Sequence, residues 1–134
     1  MTPASLSTPH AAAPQRILLV DDDRFMLDLV RDMLEGFGRF DVHVELDARS
    51  ALAELPRHDP ELVICDLAMP EMDGIEFLQA AVGQGYRGRV ILLSALEDGV
   101  RNAATELARA LGLQVAGAFR KPVAAEQLRR ALQC

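Results

Sequence analysis

Four aspartates stand where two apolar runs end. Ile17-Leu18-Leu19-Val20 leads directly into Asp21-Asp22-Asp23, and Leu62-Val63-Ile64-Cys65 leads into Asp66. Uncharged runs rich in β-branched residues read as strands buried on both faces of a parallel sheet, so these acids fall at the carboxyl ends of strands. Ligands of open α/β sheets gather at that edge. If the two strands are neighbours, Asp21, Asp22 and Asp66 share one pocket, and each pair of carboxylates about 4 Å apart repels by about 4 kcal/mol at an effective dielectric near 20. A hard divalent cation offsets such repulsion, and Mg²⁺ takes one or two carboxylates, a carbonyl and several waters. Two further runs end in a hydroxyl, Ser94, and an ammonium, Lys121, each able to hold a phosphoryl oxygen. A carboxylate that attacks phosphorus in such a pocket becomes an acyl phosphate.

The elements that must position these groups can be read along the chain. After the first strand, Met26, Leu29, Val30, Met33, Leu34 and Phe37 recur at helical spacing, with Asp23 placed to cap and Gly36 or Gly38 to end the helix. Residues 40–46 alternate as a short edge strand. Residues 48–55 form a short helix that Pro56 closes. The Asp66 strand then runs into Met69-Pro70, which favours an extended or turn geometry, and Asp73-Gly74, a turn whose glycine can take positive φ. A third helix covers residues 75–82, and a glycine-rich loop at 83–88 precedes a fourth strand, residues 89–93, that ends at Ser94. A long helix near residues 100–111, a fifth strand at 115–119 and a last helix at 124–132 complete the pattern. Five alternations of strand and helix with short loops predict an α/β fold: a doubly wound, five-stranded parallel sheet of order 2-1-3-4-5. That order places the first and third strands side by side.

Composition narrows the function. At 134 residues the chain has room for one domain, residues 16–134, preceded by a proline-containing disordered tail, residues 1–15. The tail lacks the basic stretch and apolar run of a signal peptide, and no segment reaches the roughly 20 apolar residues that span a bilayer. Twenty acids against 14 Lys plus Arg give a net charge of −6, which disfavours direct nucleic-acid binding. Cys65 inside a strand and Cys134 at the end of the chain read as free thiols in a reducing cytoplasm. His10, His43 and His58 are scattered without carboxylate or cysteine partners at ligand spacing, and are given no metal or catalytic role.

Taken together, Ile17-Leu18-Leu19-Val20-Asp21-Asp22-Asp23, the Asp66 strand with Met69-Pro70 and Asp73-Gly74, Ser94-Ala95 and Lys121-Pro122 closely resemble the receiver domain of two-component response regulators. The resemblance runs from about Arg16 to Leu132 and implies a flavodoxin-like (βα)5 fold. It implies that Asp66 is the phospho-acceptor, that Asp21 and Asp22 hold Mg²⁺ with Asp66 and the Ala68 backbone carbonyl, that Ser94 reports the phosphate and that Lys121 pairs with it. The implied partners are a histidine kinase or phosphotransfer protein and an output domain or protein. The output surface would be formed by the fourth helix, the fifth strand and the fifth helix. The only chemistry implied is the protein's own phosphotransfer and dephosphorylation. Monomer and homodimer are both compatible with the sequence.

Departures from the family pattern bear on mechanism. The position three residues before the lysine, usually aromatic in receivers, is Ala118, and alternation sends Phe119 to the opposite side. Polar side chains that often orient water in receivers are replaced by Ala68 and Leu96. The stretch at residues 111–117 resembles receivers fused to cyclic-di-GMP phosphodiesterase domains, so a fragment of a longer regulator is one alternative. A Mg²⁺-dependent aspartyl-phosphate phosphohydrolase is another, although no cap domain is evident. A flavodoxin-type cofactor protein would need a Gly, Ser and Thr-rich loop where Asp21-Asp22-Asp23 stands.

Overall fold

A computed structural model describes residues 14–133; the greater part of the expected tail and Cys134 lie outside the described residues. The elements are β1 (Gln15–Val20), α1 (Arg24–Phe37), β2 (Phe40–Glu45), α2 (Ala48–His58), β3 (Leu62–Asp66), α3 (Gly74–Gly83), β4 (Arg89–Ser94), α4 (Asp98–Ala110), β5 (Gln114–Arg120) and α5 (Ala125–Leu132). All neighbouring strands pair in parallel, in the order β2-β1-β3-β4-β5. This is the doubly wound sheet that the alternation of runs predicts.

The three central strands are apolar on both faces because both are covered. Leu18, Val20, Val63, Cys65, Val90 and Leu92 point into the layer beneath α2, α3 and α4. Ile17, Leu19, Leu62, Ile64, Ile91 and Leu93 point into the layer beneath α1 and α5. Each helix contributes an apolar stripe, for example Met26, Leu27, Val30 and Leu34 from α1. Period-two alternation in the strands and period-3.6 spacing in the helices meet in two packed layers. Among the described residues, no helix is long and apolar enough to cross a membrane.

Several boundaries differ from the sequence reading. α2 continues through Pro56 to His58 and stops where Asp59 adopts φ 50°, with its N–H donating to the Leu55 carbonyl at 2.9 Å. A proline in the last turn removes only one helical hydrogen bond, while burial of Leu55 holds the turn against the sheet. Gly74 opens α3 rather than a left-handed turn. Asp73 and Glu76 form a reciprocal capping box there, and the left-handed residue of the loop is Glu71, at φ 69°. In β5 the pairing with β4 skips one residue, from Val90↔Val115 to Ile91↔Gly117. This bulge places Ala116 and Phe119 on the α5 side and Val115 and Ala118 on the α4 side.

Candidate functional site

The parallel pairing of β1 with β3 sets Val20 opposite Cys65, so the next residues, Asp21 and Asp66, leave the sheet side by side. Both are nearly fully buried, at 2 % and 3 % exposure, and Ser94 at the end of β4 is completely so. Backbone hydrogen bonds carry the pairing past the strand ends. The Asp21 N–H donates to Glu45, the Leu67 N–H to Leu93 and the Lys121 N–H to Ser94, at 3.2, 3.0 and 2.9 Å. The loops that hold the site are therefore extensions of the sheet.

Side-chain geometry converges on the two buried acids. The Asp23 N–H donates to Asp21 Oδ1 at 2.9 Å, while the Asp23 carboxylate accepts from the Phe25 N–H and caps α1. The Ala68 N–H donates to Asp66 Oδ1 at 3.2 Å. Lys121 Nζ lies 2.8 Å from Asp21 Oδ2 and 3.3 Å from Asp66 Oδ1, so one ammonium partly neutralises both carboxylates. Oxygens of Asp21, Asp22 and Asp66 lie within 4.8 Å of one another, and Asp22 is exposed. An all-oxygen cluster open on one side suits a hard divalent cation that keeps some of its waters. Ser94 Oγ accepts from the Leu96 N–H at 2.8 Å, which ties the hydroxyl to the loop leading into α4.

The electrostatics follow from burial. Desolvation, and then the neighbouring Asp21 charge, raise the Asp66 pKa to about 6 against the opposing pull of Lys121. For Lys121, burial works against the charged form, but the hydrogen bond to Asp21 and the two carboxylate charges outweigh it and raise its pKa. Cys65 donates to the Asp66 carbonyl at 3.2 Å, is free and completely buried, and burial pushes its thiol up. It is a packing residue, not a nucleophile.

All the residues singled out from the sequence, Asp21, Asp22, Asp66, Ala68, Ser94 and Lys121, come together at this one edge. Gly74 is the residue whose reason was missed. A Cβ there would stand 2.5 Å from the Asp66 carbonyl oxygen and 2.8 Å from Leu67 Cα, so glycine is required by the close approach of two backbones rather than by φ. The Gly74 N–H donates to the Leu67 carbonyl at 3.0 Å, pinning the loop after Asp66. Phe119 lies on the face opposite Ala118, as alternation predicts, and its ring covers Gly117, where a Cβ would meet the ring at 2.5 Å. His43, read as partnerless, instead has Glu45 at 2.6 Å and Glu54 at 3.8 Å. The nearer partner is two residues along the same strand, a spacing that puts both side chains on one face.

Comparison with known proteins agrees with this geometry. The chemotaxis protein CheY of Bacillus subtilis (strain 168) is 39% identical over 82 residues, which cover 60% of this chain and 68% of that protein. The Regulator of RpoS of Escherichia coli (strain K12) is 32% identical over 109 residues, 81% of this chain but only 31% of that protein. This chain thus spans about a third of that longer relative. The structure of the Vibrio cholerae chemotaxis protein CheY4 superposes with a TM-score of 0.78 at 28% identity, covering 90% of this chain and 98% of the other. The family profile described as "Response regulator receiver domain" matches residues 17–133, and the chain belongs to that family, the receiver domains of two-component signal transduction.

Proposed function

We propose that this receiver accepts a phosphoryl group on Asp66 from a histidine kinase or a histidine-containing phosphotransfer protein. One observation carries the assignment: Asp66, at the carboxyl end of β3, lies beside a second buried acid and 3.3 Å from Lys121 Nζ. An ionised Asp66 oxygen attacks phosphorus, an O–P bond forms, and the bond from phosphorus to the donor imidazole breaks, the nitrogen keeping the electron pair. Lys121 moves from Asp66 to a phosphoryl oxygen while keeping Asp21, and the Ser94 hydroxyl turns from the Leu96 N–H toward another. Mg²⁺ held by Asp21, Asp22, Asp66 and the Ala68 carbonyl would neutralise the charge that gathers there. The chain acts as a switch rather than a turnover enzyme. Its output surface is that of α4, β5 and α5, reached through the Ser94–Leu96 contact that leads into α4.

Intact mass after incubation with Mg²⁺ and acetyl phosphate tests the proposal. One added phosphoryl group per chain is expected, absent in Asp66→Asn. If that variant gains the group at the same rate and stoichiometry, the assignment of Asp66 fails. Turnover of a phosphate ester at many equivalents per chain would favour a phosphohydrolase instead.

A further inference from the structure

The outer edge of the sheet carries a second cluster that phosphoryl chemistry does not use. In β2, Phe40, Val42 and Val44 pack toward α1 and α5, so Asp41, His43 and Glu45 alternate onto the face covered by α2. From α2, Glu54 and His58 sit four residues apart and share one side of the helix. His43 Nε2 lies 2.6 Å from Glu45 Oε2 and 3.8 Å from Glu54 Oε1. One ligand atom from each of these three residues falls within 4.8 Å of the others. The His58 ring stands 5.5 Å from that of His43, centroid to centroid. Both His58 nitrogens are buried without a hydrogen bond, the side chain is only 11 % exposed, and Asp41 Oδ2 is no nearer than 3.7 Å.

The geometry points to a metal site in which His43, Glu45, Glu54 and His58 bind a divalent transition-metal cation of the zinc type at the β2–α2 seam. Bonds of about 2.0–2.1 Å in a tetrahedral site put neighbouring ligand atoms about 3.3 Å apart. The observed 2.6 and 3.8 Å from His43 bracket that spacing, and Glu45 and Glu54 offer oxygens within 4.8 Å of each other, so modest rotations of three half-buried side chains would complete three corners. The fourth corner falls to His58, which lies outside that group of three but whose ring is 5.5 Å from that of His43, and a rotation about its side-chain torsions would have to carry a nitrogen there. An imidazolium at His43 between two glutamates would explain part of the cluster without a metal. It would leave His58 with no hydrogen bond and only the Asp41 carboxylate at 3.7 Å, however, and buried polar atoms without a hydrogen bond are costly. Two imidazoles with two carboxylates favour zinc-like ions over Mg²⁺, which prefers oxygen ligands and retains its waters. The acidic pocket at Asp66 and this seam therefore select different cations.

The test is zinc binding to the full chain, stripped with EDTA and returned to a large excess of Mg²⁺ so that the acidic pocket is occupied. One zinc per chain is expected to bind, with affinity reduced at least about ten-fold in His43→Gln and in Glu54→Gln. Far-UV circular dichroism establishes that each variant is folded. In the unaltered protein, zinc should shift the ring-nitrogen resonances of His43 and His58 while leaving those of His10 in place, a readout that needs no variant. Absence of saturable zinc binding, affinity in the folded variants equal to that of the unaltered protein, or displacement of zinc by Mg²⁺ would each overturn the proposal. Because His43 and Glu54 lie outside the Asp66 pocket, phosphorylation by acetyl phosphate reports separately on that pocket.

Discussion

Replacing Asp66 with asparagine keeps the shape of the side chain and removes a charge that burial penalises. In the folded protein Asp66 titrates at about 6, against an ordinary value of 3.8, because of desolvation first and the Asp21 charge second. A raised carboxylate pKa means that the folded state holds its proton where the unfolded state has lost it. The resulting stability is fully present below about pH 4 and is lost as pH rises through about 6. At about 1.4 kcal/mol per pH unit, the two-unit gap corresponds to about 3 kcal/mol by neutral pH. Lys121 also lies 2.8 Å from Asp21, its nearer partner, so the substitution should strand no buried cation. Asp66→Asn should therefore match the parent near pH 4 and exceed it by about 1–3 kcal/mol near pH 8 in EDTA. Urea unfolding across that range measures the gap, and added Mg²⁺ should narrow it by stabilising the ionised parent. A gap that stays constant with pH, or a parent more stable than the variant at pH 8 without metal, would show that Lys121 outweighs burial and refute the argument.

Gly74→Ala should cost about 1–3 kcal/mol, since the new methyl must displace the Asp66 carbonyl or Leu67 Cα, and phosphorylation should slow with it; unchanged urea midpoints would show that the loop yields freely. Asp22→Ala, at an exposed position of the acidic cluster, should weaken Mg²⁺ binding and slow phosphorylation while leaving the metal-free protein at least as stable, so a clear loss of stability in EDTA would instead assign Asp22 a structural role. The phosphorylated form should decay slowly because neither Ala68 nor Leu96 has a side chain able to hydrogen-bond an attacking water. Leu96→Glu or Ala68→Asn should shorten its lifetime in a phosphate-release assay, and equal lifetimes in both variants would count against water orientation as the limiting factor.

Much of the fold was legible because strands buried on two faces cannot hide their composition. The runs ending at Val20, Cys65 and Leu93 are apolar throughout, and residues immediately after them must emerge at the sheet's carboxyl edge. The site was legible for the same reason: Asp21, Asp66, Ser94 and Lys121 each follow a run, and right-handed crossovers with short loops leave few strand orders. What sequence determined was which residues reach that edge. Tertiary contact decided how they pair there, for nothing local places Lys121 across two strands between Asp21 and Asp66. The same holds for Gly74, whose requirement arises from the backbone of Asp66 eight residues earlier, and for α2, which packing carries through Pro56. His43 and His58 lie fifteen residues apart and look unrelated in a linear reading. They meet because α2 folds back over β2, and proximity across that seam is fixed by packing, to which spacing along the chain is blind.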